Sequence, residues 1–452
     1  MIRRTVLEWQ RITYGEGERE IPEWAAERLV AVARASPLGS EGGARILTHG
    51  RRDLRAGQVV GVIAGENCAL EILPKIDDQG DVTGNPNESS IRRRLVDMLA
   101  VAFDIDVDGG RVTELGWQRE NLLEILIGLF ARKLADAVRL GLPRRYVGNE
   151  GDLSALRGRL DVTRQFTTLA ATTQLLACRY DALSADIPLN QIIKVAIARL
   201  ARLSRSADNQ RILRELAFAY ADIVDVPVAS LRWDDIVLDR TNLRWHELVS
   251  LSKLLLGERF QTTAGGEAQG FSLLFEMNKL FEKYVARMLG RALMKDGLSV
   301  KSQGGLLYCL EERDAEQRGR FQTKPDILVK RGPEVMLIID TKWKRLSARI
   351  DDPKHGVSQA DVYQMLAYGR IYRCPRQMLL YPHHAGLGGA GFFTSRYRVT
   401  GSNDELTIAT IDVGTTNNMA ERLGVLVRSQ IADTPDVEIT EALFSSSTPM
   451  LN

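Results

Sequence analysis

Cysteine is scarce in this 452-residue chain. Cys68, Cys178, Cys309 and Cys374 are the four present, far apart, and no two form a Cys-x-x-Cys pair. That spacing argues against a disulfide framework and a zinc knuckle, and for a reducing compartment. The five histidines, His49, His246, His355, His383 and His384, make no His-Glu-x-x-His motif, so a zinc hydrolase of that type is excluded. His383-His384 follow Tyr381-Pro382 and read as a surface loop at a strand end. No Gly-x-x-x-x-Gly-Lys-[Ser/Thr] loop occurs, so no nucleotide site is expected in this chain. No helix-turn-helix or zinc finger is readable, which places any base-reading module elsewhere. Long apolar runs are missing too. The strongest, Leu122 to Phe130, contains Glu124 and is followed by Arg132-Lys133, too short for a bilayer and suited to a buried helix. The first eight residues, Met1 to Glu8, lack the apolar core of a signal peptide. A cytoplasmic protein with no membrane partner is the simplest reading. Charge of one sign is also lacking: 60 Lys and Arg against 58 Asp and Glu leave a net +2. This excludes a polybasic tail and an acidic disordered chain, but a basic groove can sit inside a neutral total.

What is present is a long, ordinary globular composition, enough for two or three domains. The first stretch is β-flavoured. Gln58 to Ala64 and Cys68 to Pro74 flank Gly65-Glu66-Asn67, a hairpin signal. Asp77 to Ser89, rich in Asp, Gly, Asn and Pro, reads as an exposed loop. Helical periodicity follows at Ile91 to Phe103 and Trp117 to Leu140, then resumes at Asn190 to Leu203, Asn209 to Tyr220 and Asn242 to Leu256. Tyr146 to Asp186 is less regular. Arg92-Arg93-Arg94 opens a helix and is expected to be solvated or to meet an acidic partner. Gln261 to Gly270 is small, polar and Gly-rich, the best linker candidate. These features predict an α+β multidomain protein. Residues 1–265 form an N-terminal region, β-rich over 1–90 and mainly helical over 91–260. Residues 266–435 form a C-terminal α/β domain with a mixed central sheet flanked by helices, and 436–452 a tail.

The chemistry concentrates after the linker. A helix is expected from about Ser272, with Glu282 close to its apolar stripe. Strand-like segments follow near Leu298-Ser299-Val300 and Leu306-Leu307-Tyr308. Thr323-Lys324-Pro325-Asp326-Ile327-Leu328-Val329 and Val335 to Lys342 then lie either side of a Gly332-Pro333 turn. Antiparallel pairing brings Asp326, at the start of one strand, to the same edge as Asp340, at the end of the other. Asp340 and Lys342 are two apart and share a face. Two converging aspartates suit Mg²⁺, which takes one or two protein carboxylates and keeps its remaining positions for water and phosphate. The Thr341 carbonyl can add a ligand, Glu282 can complete the acidic cluster, and Lys342 can orient attacking water or neutralise phosphate charge. Buried Asp and Lys at the end of an apolar strand are costly unless they face such a site. Gln364 and Tyr368, one helical turn apart on a helix over about Ser358 to Tyr372, share a face that can contact phosphate or brace the site. Lys324, Lys330, Lys342, Lys344, Arg345, Arg349 and Lys354 make the region dense in positive charge, as a phosphate-contacting face requires.

Pro325-Asp326, Asp340-Thr341-Lys342 and Gln364-x-x-x-Tyr368 resemble the PD-(D/E)XK nuclease superfamily, with the QxxxY element of its RecB-like branch. Phe275 to Val285, Asp340-Thr341-Lys342-Trp343-Lys344 and Asp361-x-Tyr363-Gln364-Met365-x-Ala367-Tyr368 together resemble the McrC family, nuclease subunits of McrBC-type modification-dependent restriction systems. Val60-Gly61-Val62-Ile63, Leu70 to Ile76, Gly158-Arg159-Leu160-Asp161 and Tyr180-Asp181 extend the likeness through most of the chain. The resemblance implies a restriction-endonuclease-like C-terminal domain cleaving double-stranded, modified DNA with one or two Mg²⁺ ions. Asp326 and Asp340 would be metal ligands, Lys342 the catalytic lysine, Glu282 the helix acid, and Gln364 and Tyr368 support residues. It also implies an N-terminal region that docks on an McrB-like AAA+ GTPase ring and stimulates it. Two readings stand beside this one: a non-catalytic adaptor of the ring, and a stand-alone RecB-like repair nuclease.

Overall fold

In the computed structural model the described residues are 1–39, 46–75, 87–106, 120–172, 174–240, 242–256, 260–263, 270–313, 318–347, 356–387, 394–413 and 418–432. They divide into two compact units, Met1–Leu122 with Arg259–Asn452, and Leu123–Glu258.

The first unit opens with β1 (Ile2–Leu7), β2 (Arg11–Thr13), α1 (Glu23–Ala35), β3 (Leu47–His49), β4 (Asp53–Ala56), β5 (Val59–Gly65) and β6 (Cys68–Leu73). β5 and β6 are the expected hairpin, turned through Glu66-Asn67, with Asn67 at φ 63°, a conformation Asn tolerates better than most residues. α2 (Glu88–Phe103) begins where the Asn87 side chain accepts from the Ser90 N–H, and ends at Asp104 in the left-handed region. Most of the preceding loop expected at 77–89 lies outside the described residues. Arg92 is not solvated: it is 4 % exposed and pairs with Glu71 at 2.6 Å. The basic triplet faces two ways because helical periodicity turns Arg92 inward beside Ile91 and Leu95 while leaving Arg93 exposed.

The second unit holds α3 (Leu122–Arg139, from Leu123 on), β7 (Arg145–Leu153), β8 (Arg159–Leu160), α4 (Val162–Thr167), β9 (Leu176–Ser184), α5 (Pro188–Leu203), α6 (Ala207–Ala219) and α7 (His246–Leu256). The four longer helices fall where periodicity placed them, and the short α4 was not expected. The stretch from Tyr146 to Asp186 is more regular than expected, a three-stranded sheet in the order β7-β9-β8. Its β7 is mostly exposed, so no alternation of apolar residues advertised it. Glu124 in α3 is 4 % exposed. It accepts from the Ser204 hydroxyl at 2.7 Å, the Asn209 amide at 2.9 Å and the Arg205 and Ser206 N–H groups, so it caps the entry to α6. Replacing Glu124 with Ala strands these donors and is expected to destabilise this unit by about 2–4 kcal/mol, measured as a lower urea midpoint. A midpoint within error of wild type would show the network to be dispensable.

The chain then returns to the first unit through β10 (Phe260–Thr263) and β11 (Gly270–Glu276), followed by α8 (Met277–Leu293), β12 (Ser299–Ser302), β13 (Tyr308–Glu311), β14 (Gly319–Gln322), β15 (Ile327–Arg331) and β16 (Glu334–Thr341). Last come α9 (Gln359–Tyr372), β17 (Arg376–Pro382), β18 (Thr394–Arg398), β19 (Glu405–Ile411) and α10 (Met419–Ala432). Two expectations change here. Both ends of the supposed linker are strand, β10 pairing antiparallel with β11. The helix expected from Ser272 starts at Met277 instead. β11 is interior to a five-stranded sheet in the order β1-β6-β5-β11-β10. Leu273, Leu274 and Phe275 are therefore buried on both faces, and a continuous apolar run cannot by itself be told from a buried helix. Gly61 faces Leu274 across this pairing at φ 134°, where a Cβ would sit 1.9 Å from the Leu273 carbonyl oxygen. Only Gly allows that approach. The expected division at 265/266 accordingly falls inside a unit, between β10 and β11, which both belong to the sheet of the N-terminal strands.

The second large sheet has six strands in the order β12-β15-β16-β17-β19-β18. β16-β17 and β17-β19 are parallel and the other pairs antiparallel. This is the mixed sheet that was expected. α9 packs on β16 and β17, while α8 and α10 pack on each other and on β16. The α9 side is filled by Leu328, Ile338, Met365, Leu379 and Ile408. The protein is thus a mixed α+β chain with several sheets. Among the described residues no helix is long and apolar enough to cross a membrane. The tail at 436–452 lies outside them.

Candidate active site

β15 and β16 pair in a register that sets Ile327 against Ile339, so Asp326, one residue earlier, faces Asp340. The turn between them uses Gly332 at φ 57°. β16 is an interior strand with β15 on one side and β17 on the other. Its carboxylate therefore cannot sit on a solvated edge: Asp340 is 2 % exposed.

The side chains converge. Asp326 Oδ2 accepts from both the Thr341 N–H and the Thr341 hydroxyl, each at 2.8 Å. Thr341 thus orients Asp326 through its amide and hydroxyl, a role additional to the carbonyl contribution expected of it. Lys342 Nζ stands 2.8 Å from Asp340 Oδ2 and 3.5 Å from Asp361 Oδ1. The contact with Asp340 is a buried ion pair, with the ammonium as the partner of Oδ2. Glu282, on α8, is 6 % exposed and lies near enough for its charge to act on Asp326. On α9 the Gln364 amide donates to the Tyr368 hydroxyl at 2.8 Å, and Tyr368 is buried in the core beneath that helix. All six expected side chains therefore gather at the ends of β15 and β16 and on the flanking helices.

Two contributors were not singled out from the sequence. Asp361, in the first turn of α9, takes Lys342 and also Lys344, at 3.4 Å. Its signal was present: it lies one turn before Gln364, on the same helix face. Gln303, at φ 47°, donates its backbone N–H to the Asp326 carbonyl at 2.8 Å and hydrogen-bonds Glu282. Its turn position carries no motif. His383, expected on a surface loop, is 6 % exposed, its Nδ1 2.9 Å from the Thr410 hydroxyl. β17 and β19 run in parallel to this point and enclose it. Of the basic stretch, Lys324, Lys344 and Arg345 are exposed and Lys330 and Lys342 half-buried, while Arg349 and Lys354 lie outside the described residues.

Burial sets the electrostatics. It pushes Asp340 up to about 6, aided by neighbouring Asp326 and opposed by Lys342. Asp326 is raised by burial and then by Glu282, against the Thr341 hydrogen bonds. Glu282 is raised by burial, against Gln303 and Lys324. Burial works against the Lys342 charge, but Asp340, Asp361 and Asp326 outweigh it and hold the ammonium above its ordinary range. The pocket thus binds more acid than one lysine neutralises. A donor set made of the carboxylates of Asp326, Asp340 and Glu282 fits a hard divalent cation.

One consequence is measurable without substrate. Asp340 holds its proton more tightly folded than unfolded, so its ionisation favours the unfolded chain as pH rises through about 6. In EDTA, the stability advantage of Asp340→Asn over wild type is expected to grow by about 2 kcal/mol between pH ~4.5 and pH ~7.5, then level off. A difference flat across that range would mean Asp340 ionises as an ordinary surface acid.

Sequence comparison places the chain in a class. A profile of the family described as McrBC 5-methylcytosine restriction system component matches residues 54–382, and the chain belongs to that family. No curated protein matches it. Among solved structures it is similar to a chain of the Thermococcus gammatolerans assembly of McrB AAA+ hexamers with bound McrC. The identity is 20%, the TM-score 0.65, and the match covers 94% of this chain and 99% of that one. It is also similar to a chain of the Thermococcus gammatolerans McrBC complex, at 23% identity and a TM-score of 0.50, over 64% of this chain and 88% of that one. At these identities the likeness is one of fold.

Proposed function

We propose that this chain is the DNA-cleaving subunit of a McrBC-like, modification-dependent restriction complex. In this reading the six-stranded sheet with its helices is a PD-(D/E)XK nuclease domain, and the chain works with an McrB-like AAA+ GTPase that it stimulates. The observation that carries it is the convergence of Asp326 and Asp340 from paired strands, with Lys342 Nζ 2.8 Å from Asp340. Family membership and the fold shared with a chain from an McrB–McrC assembly support the partner. Asp326, Asp340 and Glu282 would hold Mg²⁺, with the Thr341 carbonyl as a further ligand. When bound, that ion would supply Lewis-acid stabilisation of the phosphate and activation of water. The remaining work falls to the chain. Thr341 fixes the Asp326 carboxylate. Lys342, kept charged by its three aspartates, orients the attacking water and balances charge developing on the phosphate through Nζ. Asp361 holds Lys342 from the far side, and Gln364 with Tyr368 braces the α9 wall. The exposed Lys324, Lys344 and Arg345 provide contacts to the DNA backbone.

The test is reconstitution with an McrB-like AAA+ partner. The expected result is nucleotide-dependent cleavage of methylated, and not unmethylated, DNA with Mg²⁺. Cleavage of unmethylated DNA by the chain alone would replace this reading with a stand-alone nuclease. GTPase stimulation with no cleavage would replace it with an adaptor.

A further inference from the structure

Lys342 ends its strand with its N–H donated to the Leu380 carbonyl at 2.9 Å. The next residue, Trp343, leaves the sheet and is held by residues remote in sequence. Its backbone N–H donates to Asn278 Oδ1 at 3.1 Å, in the first turn of α8. Its ring meets Phe281 edge-on at 5.3 Å between centroids. Its indole N–H donates to Glu8 Oε2 at 2.9 Å. The Gln58 amide, just before β5, lies 3.5 Å from the Trp343 carbonyl.

Glu8 is the unusual member. It follows β1 directly and its N–H donates to the Leu73 carbonyl at 2.9 Å, so it is seated in the N-terminal sheet. The residue is 2 % exposed. Its Oε2 also accepts the Lys75 N–H, at 3.1 Å, and its Oε1 has no partner. Burying a carboxyl group with one oxygen unbonded is unfavourable. A space-filling role here would be met better by an apolar side chain. What the carboxyl provides instead is an acceptor aimed at one indole N–H, on the residue next to Lys342.

We infer that Glu8 and Trp343 form a positioning strap: the N-terminal sheet, through Glu8 Oε2 and the Trp343 indole, fixes the chain just after Lys342 and so fixes where Nζ points. The inference rests on the nuclease reading proposed above. Neither residue touches DNA; both act through Lys342. The strap joins the sheet built by β1, β5 and β6 to the strand that carries Asp340 and Lys342, so the two halves of this unit share one rigid contact at the reacting end. Burial lifts Glu8 to about 7, against the Trp343 and Lys75 hydrogen bonds. A neutral amide is therefore well tolerated there, and Glu8→Gln keeps an oxygen for both donors.

The experiment uses the full chain with its AAA+ partner and Mg²⁺, measuring cleavage rate against DNA concentration, GTP hydrolysis and the thermal midpoint. Trp343→Phe keeps an aromatic ring against Phe281 and removes the indole N–H together with its five-membered ring, a loss of volume that the thermal midpoint registers. This variant and Glu8→Leu are expected to lower kcat about 100-fold, the size of effect an ångström of misplacement produces. KM for DNA and the stimulated GTPase should stay within about twofold of wild type on the same ground, since only a transition-state contact is disturbed. Glu8→Gln should recover most of the lost kcat. Full kcat in Trp343→Phe would overturn the strap. So would a loss in Glu8→Gln equal to that in Glu8→Leu, or losses that track the unfolded fraction given by the thermal midpoint. A wild-type chain that does not cleave, matching Lys342→Ala, would instead overturn the nuclease reading and the strap with it.

Discussion

Asp340→Ala is expected to lower the DNA-cleavage rate of the reconstituted complex at least about 1,000-fold, while GTP hydrolysis by the proposed AAA+ partner remains stimulated. The reason is local. Asp340 faces Asp326 across the β15–β16 pairing, ion-pairs with Lys342 at 2.8 Å, and is 2 % exposed. Removing it takes away a carboxylate of the proposed cation set and one of the three acids that keep Lys342 charged. Stability should not fall with activity, because burial already disfavours the ionised carboxylate. A folded Asp340→Ala protein that still cleaves at more than a tenth of the wild-type rate would place the chemistry elsewhere. Loss of GTPase stimulation along with cleavage would mean the variant disturbs the whole chain rather than the site.

Arg92→Ala should have the largest effect on stability, a loss of about 3–5 kcal/mol in the urea-extrapolated unfolding free energy. Arg92 and Glu71 are 5 % and 4 % exposed at their side chains and meet at 2.6 Å, with a second contact from Arg92 Nε to Glu71 Oε1 at 2.9 Å. Glu71 Oε1 also accepts the Leu122 N–H at 2.7 Å, so the pair ties β6 and α2 to the residue at which the chain leaves this unit. Truncating Arg92 leaves a buried carboxylate without its cation. Replacing both residues with Leu removes that penalty and should recover most of the lost stability. A single Arg92→Ala loss under about 1 kcal/mol would mean water reaches Glu71 and the pair behaves as a surface bridge.

The two residues show where sequence reading succeeds and where it stops. Asp326 and Asp340 were placed correctly because a turn between two apolar strands sets register by counting, and period-two alternation then puts Lys342 on the Asp340 face. Gln364 and Tyr368 followed in the same way from helical spacing. Arg92 was misjudged because its burial depends on Glu71, remote in sequence and on another element. β11 was misjudged because an interior strand, buried on both faces, loses the alternation that marks a strand. Glu8 stood out not at all: a lone acid after a short strand has no local signature, and its role exists only once Trp343 is brought against it from 335 positions away.

The amino-acid sequence by itself determined the chemistry that the site can offer. The Pro-Asp and Asp-x-Lys strands, the Gln-x-x-x-Tyr helix, and the missing nucleotide loop all depend on neighbours within a few residues, where backbone periodicity dictates direction. Only the tertiary structure decided which remote segments complete the sheets, that β10 and β11 belong with the N-terminal strands, that Asp361 pairs with Lys342, that Gln303 holds Asp326 and Glu282, and that Glu8 meets Trp343. Those outcomes are settled by burial and pairing between distant segments, and local periodicity carries no information about which distant partner a strand or side chain will find.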